Sequence, residues 1–220
     1  MESLSRRAYG AIKRAVMDRQ IAVGATYSQS ELAEIVQFST NPVREALKLL
    51  EHEGFLEIKA RSGIRIIKPD LKYIAEVHQL RRILELASID FFVATASRSE
   101  LEDLREAHLS VREKALSGVA LVSYLEEHGV LEERLHCGIV SALENETVLR
   151  LYKVNYEKMR IVRMDRAGYT SRHIVETMDE HLAILDAVIA SDSAAARAAI
   201  DRHMTRALER SVIGAGPAVT

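Results

Sequence analysis

The 220-residue sequence predicts a mainly α chain in two parts: a short N-terminal segment of three helices and two strands, then an all-α antiparallel helical bundle. Three observations carry that expectation. Ser28-Gln29-Ser30-Glu31 has the form of a capping box just ahead of a short helix, and Ser39 stands at the start of another. Two runs that alternate apolar and polar residues flank the turn Ala60-Arg61-Ser62-Gly63. From Pro69-Asp70 onward the strand pattern stops and only long amphipathic segments follow.

The first helix is expected over Leu4 to Arg19, where Tyr9, Ile12 and Val16 share a stripe, with a break at Val23-Gly24-Ala25. In the second, the Ser28 hydroxyl and the Glu31 side chain can each take an orphan backbone N–H, and Leu32, Ile35 and Val36 form the buried face. The third is capped by Ser39, buries Val43, Ala46, Leu47 and Leu50, and stops at Gly54. That spacing is the one a helix-turn-helix needs. Phe55–Lys59 and Ile64–Lys68 then form a two-stranded wing. Helices are expected over about 70–96, 99–116, 119–143, 146–165, 172–190 and 193–212, with breaks that include Asn145 and Ala167-Gly168. The domains are therefore residues 1–69, residues 70–213 and a frayed tail over 214–220.

A hydrophobic content of 48% with 28% charged residues is enough for a sizeable core and excludes a disordered chain. No stretch approaches the roughly 18 apolar residues that span a bilayer, and polar residues follow the N-terminus where a signal peptide would be apolar. No membrane partner is expected, and the expected location is cytoplasmic. One cysteine, Cys137, cannot form an internal disulfide, which fits a reducing compartment. The first 68 residues carry slightly more Lys and Arg than Asp and Glu, and the remainder the reverse.

The segment Ser28-Gln-Ser-Glu-Leu-Ala-Glu, followed by Phe38-Ser-Thr-Asn-Pro-Val-Arg-Glu-Ala-Leu-Lys-Leu-Leu-Glu-His-Glu-Gly54, resembles the GntR family of winged-helix repressors. The resemblance implies a regulator, not an enzyme, that binds double-stranded operator DNA. Small polar residues at Ser39, Thr40 and Asn41 can reach base edges and phosphates, as can Ser30, with Arg44 one turn further on as the main base-reading candidate. In the wing, Arg61 can reach a groove or a phosphate, and Ser62 and Gly63 permit close approach to the sugar-phosphate backbone. The family usually opens this helix with Arg and then Thr; here Thr40 and Asn41 stand there, so the operator sequence is not implied. The resemblance and the reading of two half-sites together imply a homodimer.

Farther along, Val77-His-Gln-Leu-Arg-Arg-Ile-Leu-Glu85, Leu135-His136 with Asn145, and Glu180-His181 through Asp192 to His203 are similar to the FadR subfamily's ligand-binding bundle. Many of its members hold a divalent metal with one carboxylate and three histidines, and bind a small carboxylic acid at the remaining positions. The matching residues are Glu132, His136, His181 and His203, with Glu132 where the family carries Asp. Glu132 and His136 are i and i+4 on one face, and His181 and His203 each sit where an apolar residue is expected. A buried unsatisfied polar group costs about 1–3 kcal/mol, and one shared ion would satisfy all three imidazoles. Three N donors and one O donor suit Zn, Ni, Mn or Fe.

Arg81 is either the cation for an effector carboxylate or an ion-pair partner of Glu85 on the helix surface. Asn145 is expected to cap the helix that follows. The other histidines, His52, His78, His108, His128 and His173, read as surface or packing residues, with His173 a substitute ligand. Two further readings stay open. The bundle could bind a larger acyl ligand without metal, or it could be a metal-dependent hydrolase fused to a DNA-binding module, although the motif helices offer no distinctive general base beyond Glu133 and Glu180.

Overall fold

A computed structural model describes residues 3–164 and 170–213, which form two compact units: residues 3–70 with 160–164, and residues 71–159 with 170–213. The expected break at Ala167-Gly168 and the tail over 214–220 lie outside the described residues.

In the first unit, α1 (Leu4–Met17) is capped by the Ser3 side chain, which accepts from the Arg6 N–H. Its buried stripe is Ala8, Ile12, Ala15 and Val16. Ala8, not Tyr9, faces the core, because the Tyr9 hydroxyl is spent on a 2.6 Å hydrogen bond to Glu53 Oε2. The two-residue strand β1 (Thr26–Tyr27) precedes α2 (Gln29–Val36). Both halves of the capping box form: Ser28 Oγ accepts from the Glu31 N–H, and Glu31 Oε2 accepts from the Ser28 N–H at 2.6 Å. Hydrogen bonding from the Ser28 backbone N–H, and then from the Ser28 side chain, holds the Glu31 carboxyl below its ordinary value. Gln37 adopts the left-handed conformation that stops α2.

Helix α3 (Thr40–His52) buries Val43, Ala46, Leu47 and Leu50, the four residues its periodicity names. Ser39 occupies the N-cap position with extended backbone, but its side chain makes no cap hydrogen bond. Strands β2 (Leu56–Lys59) and β3 (Gly63–Ile66) follow as an antiparallel hairpin. The wing is not two-stranded, as expected, but part of a three-stranded sheet of order β1-β3-β2, with Thr26 opposite Arg65 and Tyr27 opposite Ile64. A two-residue strand carries no alternation to read, and its pairing is wholly tertiary.

The second unit consists, among the described residues, of helices α4 (Leu71–Thr95), α5 (Arg98–Leu116), α6 (Val122–Ser141), α7 (Glu146–Met164, up to Met159), α8 (Ser171–Ile189) and α9 (Ser193–Ile213). Asn145 caps α7 as expected, its Oδ1 accepting from the N–H groups of Thr147 and Val148. Helix α8 packs on α5 and α9, and α4 on α9 and α6. They enclose a core that includes Ile89, Leu104, Leu135, Ile139, Ile184, Leu185 and Ile200. No described helix is long and apolar enough to cross a membrane. The inward face of α4 is unusual for its polarity: His78, Arg81, Glu85 and Ser88 are all buried. Such groups are retained inside only when they are bonded to one another.

Candidate functional site

The polar face of α4 meets polar residues of α6, α7 and α9. From α6, Glu132 and His136 project inward one turn apart; His181 comes from α8 and His203 from α9. All four are buried, with at most 2% of each exposed. One potential ligand atom from each lies within 4.8 Å of the others. The imidazole centroids are 4.7 Å apart for His181 and His203 and 5.0 Å for each of these with His136. Four residues from three helices, separated by up to 71 positions in the chain (203 − 132), thus converge on one point.

The surrounding bonds decide which ring nitrogens face that point. His136 Nδ1 donates to Glu85 Oε2 at 2.7 Å, and His203 Nδ1 donates to Glu180 Oε2 at 2.8 Å. In a neutral ring the other nitrogen then carries a lone pair. His136 Nε2 lies 3.2 Å from His181 Nε2, which is itself 3.1 Å from Glu132 Oε1. A set of lone pairs and a carboxylate aimed inward, with carboxylates bracing two of the rings from outside, is the donor chemistry of a divalent-metal site. The residues therefore fit such an ion.

The electrostatics agree. Burial, then the Arg81 charge, push the His136 ring down to about 4 against the opposing pull of Glu85, and burial pushes His203 well below its ordinary value. Both rings are therefore neutral near pH 7, the form that binds metal. Burial works against the charge on Glu85, but His136, Arg81 and the Tyr152 hydroxyl outweigh it and hold its carboxyl at about 2. Tyr152 OH donates to Glu85 Oε1 at 2.5 Å, and burial keeps that phenol protonated. Glu180 is likewise held at about 2: burial opposes its ionisation, while Arg210, bonded through two nitrogens at 2.8 Å each, and His203 favour it.

Arg81 takes the ion-pair alternative, though deep inside and not on the surface. Its Nε donates to Glu85 Oε1 at 2.8 Å, and its Nη2 donates to His203 Nε2 at 3.3 Å, which places the guanidinium at the edge of the donor cluster. His108, read from sequence as a surface or packing residue, is fully buried and touches His181. His173 is not among the converging donors.

Sequence reading missed Glu85, Glu180 and Tyr152 as supports, because their partners lie 23 to 67 residues away. His108 did leave a signal, since it falls on the buried stripe Leu101, Leu104, Val111 and Ala115. The same rule flags His78 and His128, which are buried but lie outside the donor set, so it finds candidates without ranking them.

In the first unit, Ser30, Ser39, Thr40, Asn41, Arg44, Arg61 and Ser62 are exposed, while Gly63 is half-buried. Arg44, with 57% of its side chain exposed, makes a loose 3.8 Å contact with Glu45 Oε1. Gln29 Nε2 donates to the Thr40 carbonyl at 2.9 Å and so ties the start of α3 to α2. Ser30 Oγ lies 3.0 Å from Ser28 Oγ. Gly63 has a reason internal to the fold: its φ is +96°, and a Cβ there would stand 2.8 Å from the Tyr27 carbonyl oxygen. Arg61, at φ 67°, makes the turn with it.

Comparison with known proteins places these two units. Residues 4–66 match the family described as bacterial regulatory proteins, gntR family, and residues 76–206 match the FCD domain. An uncharacterized HTH-type transcriptional regulator in an unstable DNA locus of Streptomyces ambofaciens is 28% identical over 197 residues, 89% of this chain and 80% of that protein. The uncharacterized HTH-type transcriptional regulator YdhC of Bacillus subtilis is 26% identical over 91% of this chain and 88% of its own. Among solved structures, E. coli McbR/YncC has the same fold, with a TM-score of 0.78 at 17% identity over 98% of this chain and all of that one.

Proposed function

The chain belongs to the gntR family of bacterial regulatory proteins and carries an FCD domain, and on that premise we propose that it senses a small carboxylic acid through a divalent metal ion in its helical unit. It is a transcriptional regulator with a DNA-binding helix-turn-helix and a ligand-binding helical domain; its family is not one of enzymes. The observation that carries the proposal is the buried convergence of Glu132, His136, His181 and His203. Those four would hold Zn, Ni, Mn or Fe. A bound ion would supply positive charge and open coordination positions for the acid's carboxylate. Arg81, beside His203, would pair with that carboxylate, while Glu85 and Glu180 keep two of the rings oriented.

The test is elemental analysis of untagged protein together with a thermal-shift screen of small carboxylates with and without a chelator. One divalent ion per chain, and shifts that disappear with chelator, are expected. Absence of stoichiometric metal, with shifts indifferent to chelator, would overturn the proposal in favour of a metal-free acyl ligand.

On the DNA side, the reading is a homodimer in which each α3 enters the major groove of a half-site. Arg44 reads base edges, Ser30, Ser39, Thr40 and Asn41 contact bases and phosphates at the helix start, and Arg61, Ser62 and Gly63 bring the wing turn to the backbone. Arg44→Ala is expected to weaken operator binding by about 5- to 150-fold and to blur discrimination at one base position of each half-site. Fluorescence anisotropy against a set of single-base operator variants measures both. Unchanged discrimination would remove Arg44 from that role.

A further inference from the structure

Two of the three converging imidazoles are braced by carboxylates. The third is braced differently. His181 Nδ1 lies 3.2 Å from His108 Nε2, and His108 Nδ1 lies 2.7 Å from the backbone carbonyl of Leu104, one turn earlier in α5. The two rings meet edge to face, with centroids 5.2 Å apart and planes at 70°.

This arrangement fixes protons. A carbonyl oxygen only accepts, so His108 Nδ1 carries a hydrogen. The ring is fully buried, and its nitrogens meet a carbonyl and another imidazole; a second proton there carries a high desolvation cost. His108 Nε2 is therefore a lone pair that accepts from His181 Nδ1. His181 is left with Nε2 as the nitrogen directed at Glu132 Oε1 and His136 Nε2.

We propose that His108 is a positioning residue whose hydrogen-bond relay, from the Leu104 carbonyl through both rings, holds a proton on His181 Nδ1 and so presents His181 Nε2 to the metal. The proposal rests on the reading of the cluster as a metal site. It assigns His108 a part that neither coordination nor packing requires, and it makes α5 a contributor to a site whose ligands come from α6, α8 and α9. It also divides the three ligands into two classes, because a carboxylate raises the basicity of the ring it braces more than a neutral imidazole does.

The test uses the full chain with His108→Phe and His108→Gln. Phenylalanine keeps the bulk and removes the acceptor; glutamine offers an amide oxygen in its place. Zinc affinity, measured by chelator competition, is expected to fall about 10- to 100-fold in His108→Phe and to recover to within a few-fold of the parent in His108→Gln. Equal zinc affinity in all three proteins would overturn the relay, whatever the variants do to the melting temperature. Nitrogen-15 NMR of the ring nitrogens in metal-free parent protein provides a readout that needs neither variant: a proton on His181 Nδ1 is expected, and an unprotonated His181 Nδ1 would overturn the relay. If the parent binds no zinc, the metal reading fails by itself and the NMR result still decides whether the relay exists.

Discussion

His136→Gln is expected to abolish stoichiometric binding of a divalent ion while leaving a folded protein. The substitution removes one Nε2 donor from the centre of the cluster but leaves an amide group able to donate to Glu85, which also keeps Arg81 and Tyr152 as partners. Stability should therefore drop by about 1–3 kcal/mol, the cost of an imperfect replacement in a buried network. The loss of metal affinity should exceed the roughly 10- to 100-fold that follows when a bracing residue is lost. Elemental analysis and chelator competition measure the second quantity, and thermal melting in chelator measures the first. Retention of one tightly held ion per chain in His136→Gln would refute the assignment of His136 as a ligand.

Acidification should destabilise the metal-free protein steeply, starting near pH 6.5. The direction follows from the buried groups. His136 is held at about 4 and His108 at about 3, in both cases chiefly by burial, so below pH 6.5 the unfolded chain takes up protons that the folded chain refuses. Their contribution is complete above pH 6.5 and is lost as pH falls toward those lowered values. Glu85 and Glu180, held at about 2, add a second phase in the same direction, with stability present above about 4.5 and lost as pH falls toward 2. At about 1.4 kcal/mol per displaced unit, His136 alone accounts for on the order of 3 kcal/mol. Melting temperature against pH in chelator checks the prediction, and a flat profile between pH 6.5 and 4 would contradict it. Added zinc should make the fall steeper, because its ligands must be deprotonated to bind.

These effects originate in residues that were unequally legible. The winged unit could be read almost completely because its signals are local: Ser28 and Glu31 sit three apart and close a capping box, and the α3 stripe recurs at helical spacing. Its missing strand, Thr26–Tyr27, exists only by pairing with Arg65 and Ile64, 39 and 37 positions later (65 − 26, 64 − 27), and nothing local reports that. The donor set was legible through its resemblance to the subfamily's ligands, which the shared face of Glu132 and His136 and the interruption of apolar stripes by His181 and His203 supported. The braces were not. Glu85 has an ordinary i,i+4 partner in Arg81, which is the pattern of a solvated helix, and only the packing of α4 against α6 and α9 turns that pair inward. Glu180 neighbours His181 in sequence but braces His203, a pairing that depends on how α8 and α9 lie together.

The two buried acid braces have an electrical consequence. Glu85 is held ionised beside Arg81 and Glu180 beside Arg210, so each brace is a pair whose charges cancel. Each carboxylate can therefore raise the basicity of the ring it holds without leaving net charge of its own in a low-dielectric interior, where an unpaired charge is costly.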